Sequence, residues 1–315
     1  MGRKMDPRIL RYAGRVGLSL EKELQYLDVN FFNAFTFFPD MAMHFGSFIV
    51  KKNFVRQTGA SAIDNSIGFL FYNIFEDNAP SAAGKQKARP PADPPFVRIF
   101  PFSISQKIRF VRNARVTHVS ISISADYLKS FLKEETEYFR FLFDSTNNFL
   151  VEELMTDDIL RTVNDIVKKE EPGALKSYYY KMKAMELLFY LFESLRKREK
   201  AAHQPLSERE IKAVYQVRDK MVSSLSEPTS IDELKRIAGM NELKLRRIFT
   251  QVFGMGIYDY YQHLRMKEAA RLLREEKLSV SEAGYRMGFE NLGHFTRVFE
   301  KHIGKKPKKY SNDFK

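Results

Sequence analysis

Short aromatic runs set the texture of the first part of the chain. "FFNAFTFF", "MHFGSFIVKKNF" and "SIGFLFYNIF" fall between residues 31 and 75, bounded by Pro39-Asp40 and Thr58-Gly59. Their length and phenylalanine content predict β-strands. The pattern resumes in "FVRIFPF", "QKIRFV" and "VTHVSISIS", where Val119, Ile121 and Ile123 alternate with Ser120, Ser122 and Ser124. Short strands over about 31–124, with loops between them, predict a small barrel or sandwich. Residues 77–95, "DNAPSAAGKQKARPPADPP", hold five prolines and almost nothing large and apolar, which predicts an exposed loop. Residues 1–23 are polar, basic and weakly periodic, a loose arm.

After Asp126 the periodicity turns helical, over about 126–200. The clearest helix covers 173–200, where Leu175, Tyr178, Met182, Met185, Phe189 and Phe192 keep a three-four spacing and Leu188, Leu191 and Leu195 form a second flank. That stripe is wider than one surface needs. Either the helix is wedged between two parts of its own domain, or one flank packs on the strands and the other pairs with a second subunit. "REKAAHQPLSE" then reads as a linker with Pro205 at the boundary. The chain divides into an arm (1–23), a regulatory or dimerisation domain (24–204) and an all-helical domain (205–315).

The helical domain opens with an amphipathic helix through Ile211, Val214, Met221, Val222 and Leu225, and then repeats itself. "IDELKRIAGMNELKLRRIFTQVFG" (231–254) lies over "VSEAGYRMGFENLGHFTRVFEKHIG" (280–304) with one extra residue in the second turn. Glu233 matches Glu282, Gly239 matches Gly288, Phe249 matches Phe299 and Gly254 matches Gly304. Each unit is a short helix, a turn with glycine and a longer helix, the helix-turn-helix layout. Met240, Leu245, Ile248 and Phe249 are expected to face inward, as are Phe289, Phe295, Val298 and Phe299. The outward positions are Glu242, Lys244, Arg246 and Arg247 in the first unit and Asn291, Leu292, His294 and Arg297 in the second. Asn241 and Glu290 stand near the starts of the second helices, where acceptors suit unpaired N–H groups. Residues 257–276 join the units as one helix of roughly 30 Å, against about 34 Å between successive major-groove faces.

The segment "SVSEAGYRMGFENLGHFTRVFEKHIGKKPKKY" resembles the signature of AraC/XylS-type transcriptional regulators: a Gly-Phe turn, "HFTRVF", an "HIG" corner and a proline opening a last short helix. "RMKEAARLL" at 265–273 is similar to the family's connecting helix. The resemblance covers residues 206–315. It implies an α+β chain: an N-terminal cupin-like β-barrel with following helices that senses a small molecule or dimerises, then two helix-turn-helix units that bind promoter DNA. It implies a bacterial regulator; the chain is expected to be cytoplasmic and to need no cofactor, and activation is the expected action, with repression left open. Its partners would be double-stranded promoter DNA, a small-molecule effector, RNA polymerase and a second copy through helix 173–200. Three positions depart from the pattern. Lys235 and Gly284 stand where a small residue, commonly alanine, packs the first helix against the second, so the first unit is expected to be looser or tilted. Gly293 replaces a small polar residue, which leaves Asn291, His294 and Arg297 as base readers, with Leu292 touching a thymine methyl.

Charge agrees with a polyanionic partner without locating it. Lysine and arginine total 52 against 39 acids, a net +13 over 315 residues. Residues 206–315 hold 22 basic and 15 acidic side chains, so +7 lies there and +6 in the remainder. Lys301, Lys305, Lys306, Lys308 and Lys309 cluster around Pro307, beside the second reading helix, where phosphate contact competes with a solvated tail. The chain has no cysteine, which removes disulfides, thiolate zinc sites and cysteine nucleophiles. It shows no nucleophile elbow, phosphate loop or dinucleotide fingerprint, so no enzyme is expected. The β-rich part offers only His44 and His118 toward a metal, too few for a metal-binding cupin. The alternative is a small-molecule-binding or enzymatic β-barrel protein whose helical C-terminal region serves assembly.

Overall fold

The computed structural model describes residues 23–37, 40–57, 65–76, 95–102, 107–143, 148–168, 173–198 and 204–313. They form two compact units that meet in sequence between Leu206 and Ser207. The arm as far as residue 22 and the proline-rich loop at 77–94 lie outside the described residues.

The first unit holds eight strands: β1 (Leu27–Thr36), β2 (Met41–Val50), β3 (Phe54–Gln57), β4 (Ser66–Glu76), β5 (Phe96–Pro101), β6 (Lys107–Phe110), β7 (Ala114–Ser124) and β8 (Val151–Leu154). Six form one antiparallel sheet in the order β1-β2-β7-β4-β5-β8, while β3 pairs with β6 as a separate ribbon. Among the described residues β1 and β8 are free edges and the sheet stays open, which corrects the expected closed barrel. The ribbon covers one face instead of bridging the edges: Phe110 packs on Phe48 of β2 at 5.6 Å and on Tyr72 of β4 at 6.1 Å between ring centroids.

Alternation along the strands gives the two faces different chemistry. Met43, Phe45, Phe69, Phe71, Val119 and Ile121 join one apolar core with Ile159 and Val163 of α2 (Asp157–Lys168) and Leu187, Leu188 and Leu191 of α3 (Lys176–Arg196). A shorter helix, α1 (Ala125–Leu132), follows β7 and is capped by Ser124. The ribbon-covered face is polar at its centre. His118, Ser120 and Ser122 of β7 and Ser66 of β4 are buried there with side-chain polar atoms that have no partner among the described residues. Register sets His44 opposite Ser120, and the His44 and His118 rings stand 5.5 Å apart. Buried ion pairs close the same face, Arg98–Glu152 at 3.0 Å and Arg56–Glu23 at 2.7 Å.

Helix α3 divides its apolar residues in an unexpected way. Tyr180, Ala184, Leu187, Leu188, Leu191 and Leu195 are buried, whereas Leu175, Tyr178, Met182 and Phe189 are exposed. Most of the regular stripe read from the sequence therefore faces outward, and the second flank carries the core.

The second unit is all helix: α4 (Glu208–Ser223), α5 (Ile231–Ala238), α6 (Glu242–Phe253), α7 (Ile257–Arg274), α8 (Val280–Arg286), α9 (Leu292–Ile303) and α10 (Pro307–Asn312). No helix among the described residues is long and apolar enough to cross a membrane.

Burial pulls the His44 pKa down to about 3, with Arg56 adding to the effect. Burial also holds His118 well below 6.5, helped by His44 and then Arg56. An unfolded histidine titrates near 6.5, so below that pH the unfolded chain takes up protons that the folded sheet refuses. Stability should therefore fall on acidification from about pH 6.5 toward 5, by up to about 1.4 kcal/mol per pH unit for each histidine. Urea midpoints at pH 7.5 and 5.5 check this, and His44→Leu with His118→Leu should flatten the difference.

Candidate nucleic-acid interface

Each helix-turn-helix unit is built by matching local signals. Ser230 and Ser279 cap α5 and α8 by accepting from the N–H of Glu233 and Glu282, and at Ser279 the glutamate reaches back to close a capping box. The longer helices begin on asparagine: Asn241 accepts from the Lys244 N–H and Asn291 from the His294 N–H, both at 2.9 Å. Asn241 and Asn291 are thus helix caps, their carbonyl oxygens already engaged. Glu290 lies outside α9, one residue before its cap, and is exposed.

The inward residues pack around aromatic clusters. Leu245, Ile248 and Phe249 of α6 are buried, with Phe249 against Tyr260 of α7 at 5.4 Å. Phe289, Phe295 and Phe299 form the second cluster, which Tyr310 of α10 closes at 5.7 Å from Phe299. Met240 and Val298 are only half-buried. Outward, Lys244, Arg246, Arg247, His294, Arg297 and Lys301 are exposed, and Glu242 and Leu292 are half-buried. His294 leans its ring on the edge of Phe289 at 5.6 Å.

Several of these charges are already committed within the unit. Lys244 reaches Glu210 of α4 at 2.9 Å, and that hydrogen bond, with one from the Ser207 N–H, takes the Glu210 pKa down to about 2. Arg246 pairs with Glu242 one turn earlier at 2.7 Å. Lys301 stands 3.7 Å from Asp259, a long contact between exposed groups. Lys305 pairs with Asp313 at 2.9 Å, and Pro307 opens α10.

The departures at Lys235 and Gly284 have separate explanations. Lys235 sends its ammonium out to Asp232 at 2.8 Å, so only its stem lies along the helix pair. A Cβ at Gly284 would sit 2.8 Å from Leu292 Cδ2 and 3.2 Å from Phe295 Cδ1. The missing methyl gives Leu292 and Phe295 their seats, which turns Leu292 toward α8 and away from the groove position expected of it. Leu243, which is not among the outward positions read from the sequence, is 82% exposed at the second position of α6.

Helix α7 holds the units together through side chains the repeat did not reveal. Its 18 residues span about 27 Å. Arg265 is buried, donates to the Met287 carbonyl and to Gln262 at 3.2 Å, and lies over the Phe289 ring at 4.0 Å. Tyr261 donates to the Leu225 carbonyl at 3.0 Å, fixing the loop after α4. That loop touches the second turn at Gly288, which has φ +74° and leaves a Cβ position 2.1 Å from the Ser226 carbonyl oxygen. At α4, Arg218 donates to the Tyr260 hydroxyl at 3.1 Å.

Residues 234–313 match the family model described as a helix-turn-helix domain, and residues 101–207 match the one described as the regulatory protein PchR N-terminal domain. The chain is 33% identical over 109 residues to the regulatory protein PchR of Pseudomonas aeruginosa, covering 34% of this chain and 37% of that protein. It is 32% identical over 95 residues to the HTH-type transcriptional regulator GlxA of Rhizobium meliloti, covering 30% and 29%. It is also 32% identical over 85 residues to the probable transcription factor PqrA of Proteus vulgaris, covering 27% of this chain and 70% of that protein. The matched segments thus span only about a third of the length of PchR and GlxA.

Gly288→Ala should destabilise the second unit by more than the roughly 1–2 kcal/mol of a left-handed backbone alone, since the new methyl also displaces Ser226. Thermal melting of the variant beside wild type measures the loss.

Proposed function

The chain belongs to the AraC-type family of helix-turn-helix transcriptional regulators, and from that premise we propose that it is a sequence-specific regulator reading two adjacent major-groove segments with α6 and α9. The observation that carries the reading is the duplicated pair of exposed, basic second helices mounted on one buried-core rod. Arg247 and Arg297 occupy the same place in the repeat and are both exposed. Lysines and arginines around them neutralise phosphates, giving salt-dependent affinity, while base edges discriminate sequence. Arg297 is assigned the guanine-type bidentate contact. Lys301 and Lys306 suit phosphate, and His294 lines the rim.

For control, the first unit offers two surfaces. The buried strip of His118, Ser120 and Ser122 is the polar surface a small-molecule effector would use. The exposed stripe of Tyr178, Met182 and Phe189 on α3, with Leu175 just before its first residue, favours pairing with a second copy, because ordered apolar patches on one helix face mark interaction surfaces. Pairing is the reading we adopt.

Two measurements test these assignments. Arg297→Ala should weaken binding to duplex selected from a random pool by ~1–3 kcal/mol and relax discrimination at one base pair. Equal cognate-to-scrambled ratios in variant and wild type would remove the base-reading role. Met182→Glu should shift the full chain toward monomer in sedimentation, and an unchanged mass would discard the α3 interface.

A further inference from the structure

Leu243 is the most exposed large apolar side chain described, at 82%. It occupies the second position of α6, just after the cap, where a groove-entering helix meets base edges. Its flanking cations are already engaged, Lys244 with Glu210 and Arg246 with Glu242. The tip of α6 is therefore an apolar group framed by compensated charges. The second unit does not repeat it. There the matching residue is Gly293, and the neighbouring Leu292 packs over Gly284. Of the outward basic positions, only Arg247 and Arg297 correspond between the units.

We propose that Leu243 contacts the 5-methyl group of a thymine, so that the DNA site consists of two unlike halves, one sensitive to that methyl and one not. Thymine alone among the bases presents a methyl in the major groove, and an apolar side chain is its matching contact. A cytosine amino group or guanine oxygen placed against Leu243 would lose its water with nothing in return. The excess of 22 basic over 15 acidic side chains in residues 206–315 draws the whole helical domain toward a polyanion. The inference rests on the reading of α6 as a groove-entering helix.

The test uses the full chain and duplexes it recovers from a random pool, with thymines replaced by deoxyuridine in each half in turn. Deoxyuridine pairs identically and lacks only the methyl. Wild type should bind about fourfold more weakly when one half is replaced, the factor one buried methylene corresponds to, and unchanged when the other is. Leu243→Ala, which keeps its fold by circular dichroism because the side chain is exposed, should bind the unmodified duplex more weakly and ignore deoxyuridine in both halves. The proposal is overturned by no effect in wild type, by equal effects in both halves, by the same loss in Leu243→Ala, or by recovered sites lacking thymine. Each of these leaves the DNA-binding reading intact. Recovery of no duplex at all overturns both.

Discussion

The geometry of the second unit depends on taking one guanidinium out of water. Burial disfavours the charged form of Arg265, shifting its pKa downward, and no carboxylate answers it among its described contacts. Its compensation comes from the Met287 carbonyl, the Gln262 amide and the face of Phe289. These partners lie on the rod itself and on the turn of the second helix pair. A buried donor without its acceptor costs more than the bond gains when made, so rod and turn keep one relative placement. Tyr261, one turn earlier on the same helix, does the equivalent for the loop after α4. Neighbouring side chains on α7 thus hold both sides of the seam where Ser226 meets Gly288.

Much of this is legible in the sequence. The repeat, the glycine turns, the inward aromatics and the exposed arginines all follow from spacing, because local helix signals are written within a few residues of where they act. What escaped were the long-range partners. Lys244 looked like a free cation, but Glu210, thirty-four positions earlier, meets it in space. Leu292 looked outward until the absence of a side chain at Gly284 gave it an inward seat. Asn241 caps its helix as its place in the repeat suggests, while Asn291, expected to read a base, also caps. Leu243 carried its signal in plain view: an apolar residue two places before Leu245, off the buried face of an amphipathic helix.

The first unit was legible in its strands and not in their assembly. Six aromatic or alternating runs became seven strands, since Lys51 and Lys52 break one run into β2 and β3. Strand β8 has two glutamates in four residues, and its neighbourhood reads as helix. It is held by partners distant in sequence, Arg98 from β5 and, through Glu153, Ser194 and Arg198 at the end of α3. Likewise alternation puts Ser120, Ser122 and Ser124 of β7 on one face but does not reveal that they are buried. Pattern gives which residues share a face. It does not give what lies above that face.

The 18 residues of α7 amount to about five complete turns at 3.6 residues each. Its first and last residues, seventeen steps apart, therefore point about 100° away from each other around the axis, and that angle fixes where whatever hangs from each end emerges. One residue gained there would advance the far end by only about 1.5 Å while swinging it through about 100°. Angular phase, far more than separation, is what forbids casual insertions in this segment.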